Sequence, residues 1–193
     1  MGIDVRAVRP DQAARQVNEL AALYREVYAE APYCWGEEHA ELFRERFAVQ
    51  CRSTGFSLIE ARCDEELIAF GFGVTLAPTT PWWQHLLTPL PADMTREYAG
   101  RTFAVVELLV RRAWRRRHIA ESIHVRLLHA RLEERATLTV LPAAAAAQAA
   151  YAKWGWRKVA QKRNPLPGSP VFDVLIKELQ PSRMSALDMP SRP

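Results

Sequence analysis

Apolar positions along this chain change period several times, and each change marks an element. Residues 3–9 (IDVRAVR) alternate between apolar and polar positions, as a strand with one solvated face does. From Pro10 the spacing becomes helical as far as about Glu30, with Asp11 placed to cap the helix, and a second helix is predicted from Glu37 to about Arg52. Phe56 to Arg62 and Leu67 to Leu76 read as two strands turning at Asp64-Glu65, the second thinned by Gly71 and Gly73. Phe103 to Val110 (FAVVELLV) is apolar on both faces except at Glu107, the pattern of a strand inside a covered sheet. Strict alternation puts Phe103, Val105, Glu107 and Leu109 on one face and Val106, Leu108 and Val110 on the other.

That strand runs into a very basic turn, RRAWRRRHIA, which opens directly into a helix. Ile119, Ile123 and Leu127 recur on one side of this helix, while His124, Arg126, Arg131 and Glu133 are expected to face outward. A strand over Ala136 to Leu141 follows, then an alanine-rich helix after Pro142, a strand starting at Trp156 and a last strand from Val171 to Leu179. Residues 1–180 are expected to form one domain, and 181–193, rich in Pro, Ser and Met without periodicity, a disordered tail.

The strand, basic turn and helix aim free backbone amides and arginines at one point, which suits a phosphorylated ligand. Arg111, Arg112, Arg115, Arg116 and Arg117 fall close together in a chain whose net charge is +4, so the charge is concentrated. Arginine pairs with phosphate in a two-pronged geometry. The same stripe also fits a solvated turn or a nucleic-acid surface.

Arg115-Arg116-Arg117-His118-Ile119-Ala120 resembles the acyl-coenzyme A signature of the GCN5-related N-acetyltransferases, Gln/Arg-x-x-Gly-x-Gly/Ala. Arg115 and Ala120 match its ends, and His118 stands where the family has glycine. Ala150-Tyr151-Ala152-Lys153-Trp154-Gly155-Trp156 is similar to the family's second signature, a tyrosine near a helix end before a Lys-x-Gly-aromatic turn. Ala144 stands where the family often has asparagine. The predicted order β-α-α-β-β-β-α-β-α-β-β matches the family fold from Ile3 to Leu179. The resemblance thus implies an α/β (α+β) single domain: a mixed, mostly antiparallel, twisted sheet of six to seven strands flanked by about four helices.

The resemblance also implies roles. Backbone amides near Leu108 and Leu109, where the family strand bulges and splays, would receive the acetyl carbonyl and pantetheine arm, and Val110 leads into the coenzyme turn of residues 115–120. Tyr151 matches the tyrosine near the coenzyme sulfur and is the candidate general acid. Glu107 is the candidate base, because an ionisable group alone in an apolar strand has its pKa raised by desolvation. Thr139 stands where some relatives carry the base on the next strand.

Two aromatic groups remain. Tyr33 and Trp35 join the first two helices, where the family often contacts its acceptor. Trp82 and Trp83 lie in the proline-rich segment Ala77 to Gly100, which is too long for a hairpin turn. That segment could wall the acceptor site or pack on a second subunit of a homodimer, and core packing competes for all four aromatics.

The expected activity is transfer of an acetyl group from acetyl-coenzyme A to a primary amine of a small molecule or peptide, by direct attack in a ternary complex. Two alternatives stay open: a catalytically degenerate acyl-coenzyme A sensor or binding module, and a nucleic-acid-binding protein using Arg111 to Arg117. No His/Cys/Asp cluster has metal-ligand spacing, and Cys34, Cys51 and Cys63 are an odd set, so no metal and a reducing cytoplasm are expected. No apolar run is long enough to cross a membrane.

Overall fold

The computed structural model describes residues 2–129, 131–165 and 168–179. Among them seven strands form one sheet, in the order β1-β2-β3-β4-β5-β7-β6. The first half of the chain contributes β1 (Ile3–Val8), α1 (Pro10–Arg15), α2 (Val17–Tyr28), α3 (Glu37–Gln50), β2 (Ser57–Cys63) and β3 (Glu66–Thr75). The second contributes α4 (Ala92–Thr95), β4 (Thr102–Val110), α5 (Ile119–Leu128), β5 (Arg135–Val140), α6 (Ala145–Lys153), β6 (Arg157–Arg163) and β7 (Val171–Glu178). All neighbours pair antiparallel except β4 and β5, which are parallel. The mixed, mostly antiparallel sheet expected from the sequence is what forms. The expected tail, 181–193, lies outside the described residues. Among the described residues no helix is long and apolar enough to cross a membrane.

Two cores cover the two faces of the sheet. On one face α2 and α3 bury Leu20, Leu23, Tyr24, Phe43 and Phe47 against Leu58, Phe70, Phe72 and Leu109. On the other, Ile119, Ile123 and Leu127 of α5 and Tyr151 of α6 pack on Ile59, Ile68, Phe103, Val105 and Leu138. Gly71 lets α5 come close: a Cβ there would stand 2.8 Å from Ile123 and 3.0 Å from Leu108.

Three details differ from the sequence reading. The first helix breaks at Gln16, and Asp11 is not its cap: Arg9 holds that position and Pro10 begins the helix, while Asp11 pairs with Arg15 at 2.9 Å. Proline starts a helix well because its missing N–H would be unpaired there anyway. His124 and Glu133 are buried, not outward. His124 stacks on Trp154 and accepts a 2.9 Å hydrogen bond from Trp156 Nε1, and Glu133 takes its bonds from Arg131 and Thr75.

The third difference lies in β4. Glu107 pairs with Phe72 and Val105 with Gly73, so Val106 is an extra, bulged residue. The bulge interrupts the alternation of faces. Phe103 and Val105 join the α5 core, whereas Leu109 joins the α2 core and Glu107 bonds to Tyr28 of α2. The bulge therefore falls at Val106, before the Leu108-Leu109 pair where the resemblance put it.

Candidate active site

β4 loses its second neighbour just before the bulge. It pairs with β5 only from Thr102 to Ala104, opposite Arg135 to Thr137, while β5 stays bonded to β7 over its whole length. The two strands splay apart and a cleft of about 980 Å³ opens between them. Its walls are β4 from Val105 to Val110, the end of β5, the N-terminal half and Tyr151 of α6, the last two residues of α2 (Val27 and Tyr28), and Ala31 to Tyr33 just after it.

The basic turn forms the cleft's mouth. Arg112–Trp114 make one 3-10 turn, Arg115 is extended, and Arg116 and His118 both take left-handed backbone at φ 60° and 58°. His118 is the N-terminal cap residue of α5, and Ser122 N–H to His118 O is the first helical bond, so the amides of residues 119–121 have no partner within the helix. A left-handed φ is what glycine supplies at no cost, and a histidine there is strained by about 1 kcal/mol. The imidazole swings outward and bonds Glu121 at 2.8 Å, so its ring is exposed.

The arginines divide into two sets. Arg111 is held by Glu26 at 3.1 Å and by Glu66, and Arg115 by Glu30 at 2.9 Å and the Val110 carbonyl at 3.1 Å. Arg112 and Arg116 line the cleft with no carboxylate partner among the described residues, and Arg117 lies over the Trp114 ring at 4.9 Å. Ion pairing thus removes two of the five charges, which weakens the case for a continuous nucleic-acid stripe. What remains is a compact cationic turn, two arginines beside a helix N-terminus, an arrangement that suits an anion.

Deeper in the cleft stand the two candidate catalytic groups. Glu107 is 7% exposed, and burial pushes its carboxyl up to about 7, opposed by the charge of Arg46 and the hydroxyl of Tyr28. Tyr28 donates to Glu107 Oε2 at 2.7 Å. Tyr151, on the facing wall, has its phenol pushed well above the ordinary range by burial, then by Tyr33 and Glu107. It is protonated at neutral pH.

Of the sequence-expected residues, the cleft brings together Glu107, Leu108, Leu109, Val110, Arg115, Arg116, His118, Ile119, Ala120, Tyr33 and Tyr151. Arg117 sits beside the mouth on Trp114. Trp35 lies behind the lining, packed on Tyr28 at 4.6 Å and stacked on His39 at 4.9 Å. Trp82 and Trp83 do not line the cleft. They belong to the long segment, which runs along the free edge of β6: Leu87 N–H bonds Gln161 O at 2.8 Å, and Lys162 lies over the Trp82 ring. Trp83 Nε1 donates to Glu97 at 2.8 Å, so this segment is tied down by its own tryptophans.

Sequence reasoning missed Tyr28 and Glu30. Tyr28 follows Leu20 and Tyr24 at four-residue spacing on the buried side of α2, which marks it as inward-facing. Nothing local marks Glu30 as the partner of Arg115.

The order of the strands, the splay of β4 from β5 beside the β4 bulge and the turn at the head of α5 define the acyl-coenzyme A N-acyltransferase fold. Known structures agree. PaiA N-acetyltransferase from Thermoplasma acidophilum, in complex with coenzyme A, superposes with a TM-score of 0.59 over 92% of this chain and 99% of its own, at 15% identity. NAA60 of Arabidopsis thaliana, in complex with a bisubstrate analogue, gives 0.62 over 94% and 100% at 16% identity. An acetyltransferase of the GNAT family from Streptococcus pneumoniae gives 0.60 over 93% and 100% at 13% identity. No family model matches the chain, and no curated protein matches it by sequence. The chain therefore has the fold of the GCN5-related N-acetyltransferases, recognised through structure.

Proposed function

We propose that the chain is an acetyl-coenzyme A-dependent N-acetyltransferase, moving the acetyl group to a primary amine of a small molecule or peptide by direct attack in a ternary complex. The observation that carries this reading is the splayed cleft, with a buried carboxyl of raised pKa on one wall and a protonated phenol on the other. Coenzyme A fits the residues present. Amides of residues 119–121 with Arg112 and Arg116 would hold its pyrophosphate, and the gap between β4 and β5 would take the pantetheine arm. Bound there, acetyl-coenzyme A supplies an activated thioester.

Each protein group then has one task. An acceptor enters as an ammonium ion and must lose a proton before its nitrogen can attack. Glu107, with a pKa of about 7, is poised to take that proton near neutral pH. As the nitrogen–carbon bond forms and the carbon–sulfur bond breaks, the Tyr151 hydroxyl gives its proton to the departing sulfur. The second proton shed by the nitrogen restores Tyr151 through solvent, and Glu107 releases the proton it took to solvent, so one proton is set free per turnover. His118 already holds the left-handed backbone that glycine adopts freely, which supports an intact turn, and its Cβ is the added bulk that a glycine would lack beside the pyrophosphate.

The test is calorimetric titration of acetyl-coenzyme A into wild type and His118→Gly side by side. Wild type is expected to bind in the micromolar range typical of enzyme substrates. Absence of binding in both would sink the reading, and binding only by the glycine variant would favour a degenerate site.

A further inference from the structure

The cleft is asymmetric in charge, and this asymmetry bears on which amine it takes. Where β4 faces α2, the lining consists of Val27, Tyr28, Ala31, Pro32, Tyr33 and Val106, with Glu107 as its charged group. The cationic residues of the lining, Arg112, Arg115, Arg116 and Lys153, belong to the basic turn and the last residue of α6. Arg115 is already bound to Glu30, and Lys153 lies close enough to lower the pKa of Glu121. Arg46, whose charge also reaches Glu107, is on α3 and does not line the cleft.

The rings at this end are fixed in place. Tyr33 meets Tyr28 edge-on at 4.5 Å and Trp35 at 5.1 Å, and it also packs against the α5 core across the cleft. Electron-rich ring faces beside a carboxylate attract an ammonium ion. Those faces repel an anion, and the Tyr28 hydroxyl, which could donate to one, is already given to Glu107. A carboxylate one or two bonds from the acceptor nitrogen would be carried up to Glu107 where no cation lines the cleft to receive it, Arg46 standing behind the wall, and like charges brought together inside an interface are strongly disfavoured.

The geometry points to an acceptor that is a primary amine on an apolar or aromatic body, with no carboxylate beside the nitrogen. Free amino acids are strongly disfavoured as acceptors by the ionised Glu107, and amines or amidated analogues of the same size are preferred. This inference rests on the acetyl-transfer reading and narrows its substrate class.

The experiment uses the full chain and three probes that share one aromatic body: phenethylamine, phenylalanine and phenylalanine amide. Coenzyme A is titrated first, by calorimetry, and each amine is then titrated into the coenzyme-loaded protein, with thiol release from acetyl-coenzyme A measured in parallel. Phenethylamine and phenylalanine amide are expected to bind and to be acetylated, with phenylalanine lower in kcat/KM by about 100-fold or more. Recovery by the amide assigns the effect to charge rather than size. Equal use of phenylalanine, failure of the amide to recover, or no binding of any probe to the loaded protein overturns the inference while leaving the coenzyme site standing. Failure of coenzyme A itself to bind removes the transfer reading and the inference with it.

Discussion

The Tyr28 hydroxyl donates a 2.7 Å hydrogen bond to Glu107, joining the last residue of α2 to the middle of β4. The bond favours the carboxylate, so it works against the burial that raises the Glu107 pKa to about 7. Activity that depends on the ionised carboxyl should therefore rise with pH through about 7. Tyr28→Phe removes the donor and is expected to move that rise to higher pH with the maximal rate largely kept, while Glu107→Gln abolishes the rise. Profiles of kcat/KM against pH for the three proteins decide it; an unmoved profile in Tyr28→Phe would mean that this hydrogen bond does not set the Glu107 pKa.

Glu97 anchors the long segment. Its Oε1 accepts from Trp83 Nε1 at 2.8 Å, Thr102 Oγ1 at 2.8 Å and Arg135 Nη2 at 2.9 Å, and the Arg135 side chain is only 6% exposed. Breaking a buried pair by removing one partner strands the other charge, at a cost of about 3–5 kcal/mol. Glu97→Ala should lower the denaturant midpoint accordingly and raise amide exchange around Leu87, whose N–H is bonded to β6. Loss below about 1 kcal/mol, the range of an exposed ion pair, would mean that water replaces the anchor.

How far the sequence alone reached is clearest along β4. Its identity as a covered strand, the helix after it and the left-handed Gly155 that ends α6 all follow from local pattern, because period and turn chemistry are local properties. The two faces of β4 were not legible, since one bulged residue at Val106 reverses every position after it and nothing in FAVVELLV marks the bulge. Its cause lies on the neighbouring strand. Glu107 was found because it is the ionisable group in an apolar run, whereas Tyr28 and Glu30 work through partners distant in sequence. The burial of His124 was missed for the same reason: the indoles that cover it come from residues 154 and 156.

His124 makes stability depend on pH. Burial lowers its pKa to about 4, helped by the nearby Lys177 charge, and Nε2 must stay unprotonated to accept from Trp156. The unfolded chain, with a histidine near its ordinary 6.5, binds more protons than the folded one between those two values. This contribution to stability is complete above about 6.5, declines as pH falls, and stops declining below about 4. His124→Gln, which can retain an acceptor for Trp156, is expected to flatten that part of the curve of urea midpoint against pH. An unchanged slope would mean that other groups set it.

Gly73 is where the bulge finds its room. It pairs with Val105 beside the extra residue, and a Cβ on it would collide with the carbonyl oxygen of Ala104 and with the Phe103 ring. Backbone cannot swing aside as a flexible side chain can, and Ala104 is the last β4 residue bonded to β5, so the strain would fall where the two strands part. Gly73→Ala is expected to destabilise the fold by about 1–3 kcal/mol, the usual cost of overpacking. It should also weaken coenzyme binding by displacing β4 along the cleft wall. Gly100→Ala serves as the control for substitution outside the packed sheet, because a Cβ there meets nothing within 4 Å although its φ of +76° brings some local strain. If Gly73→Ala costs no more than that control and binds coenzyme equally well, the bulge does not depend on the space that Gly73 leaves.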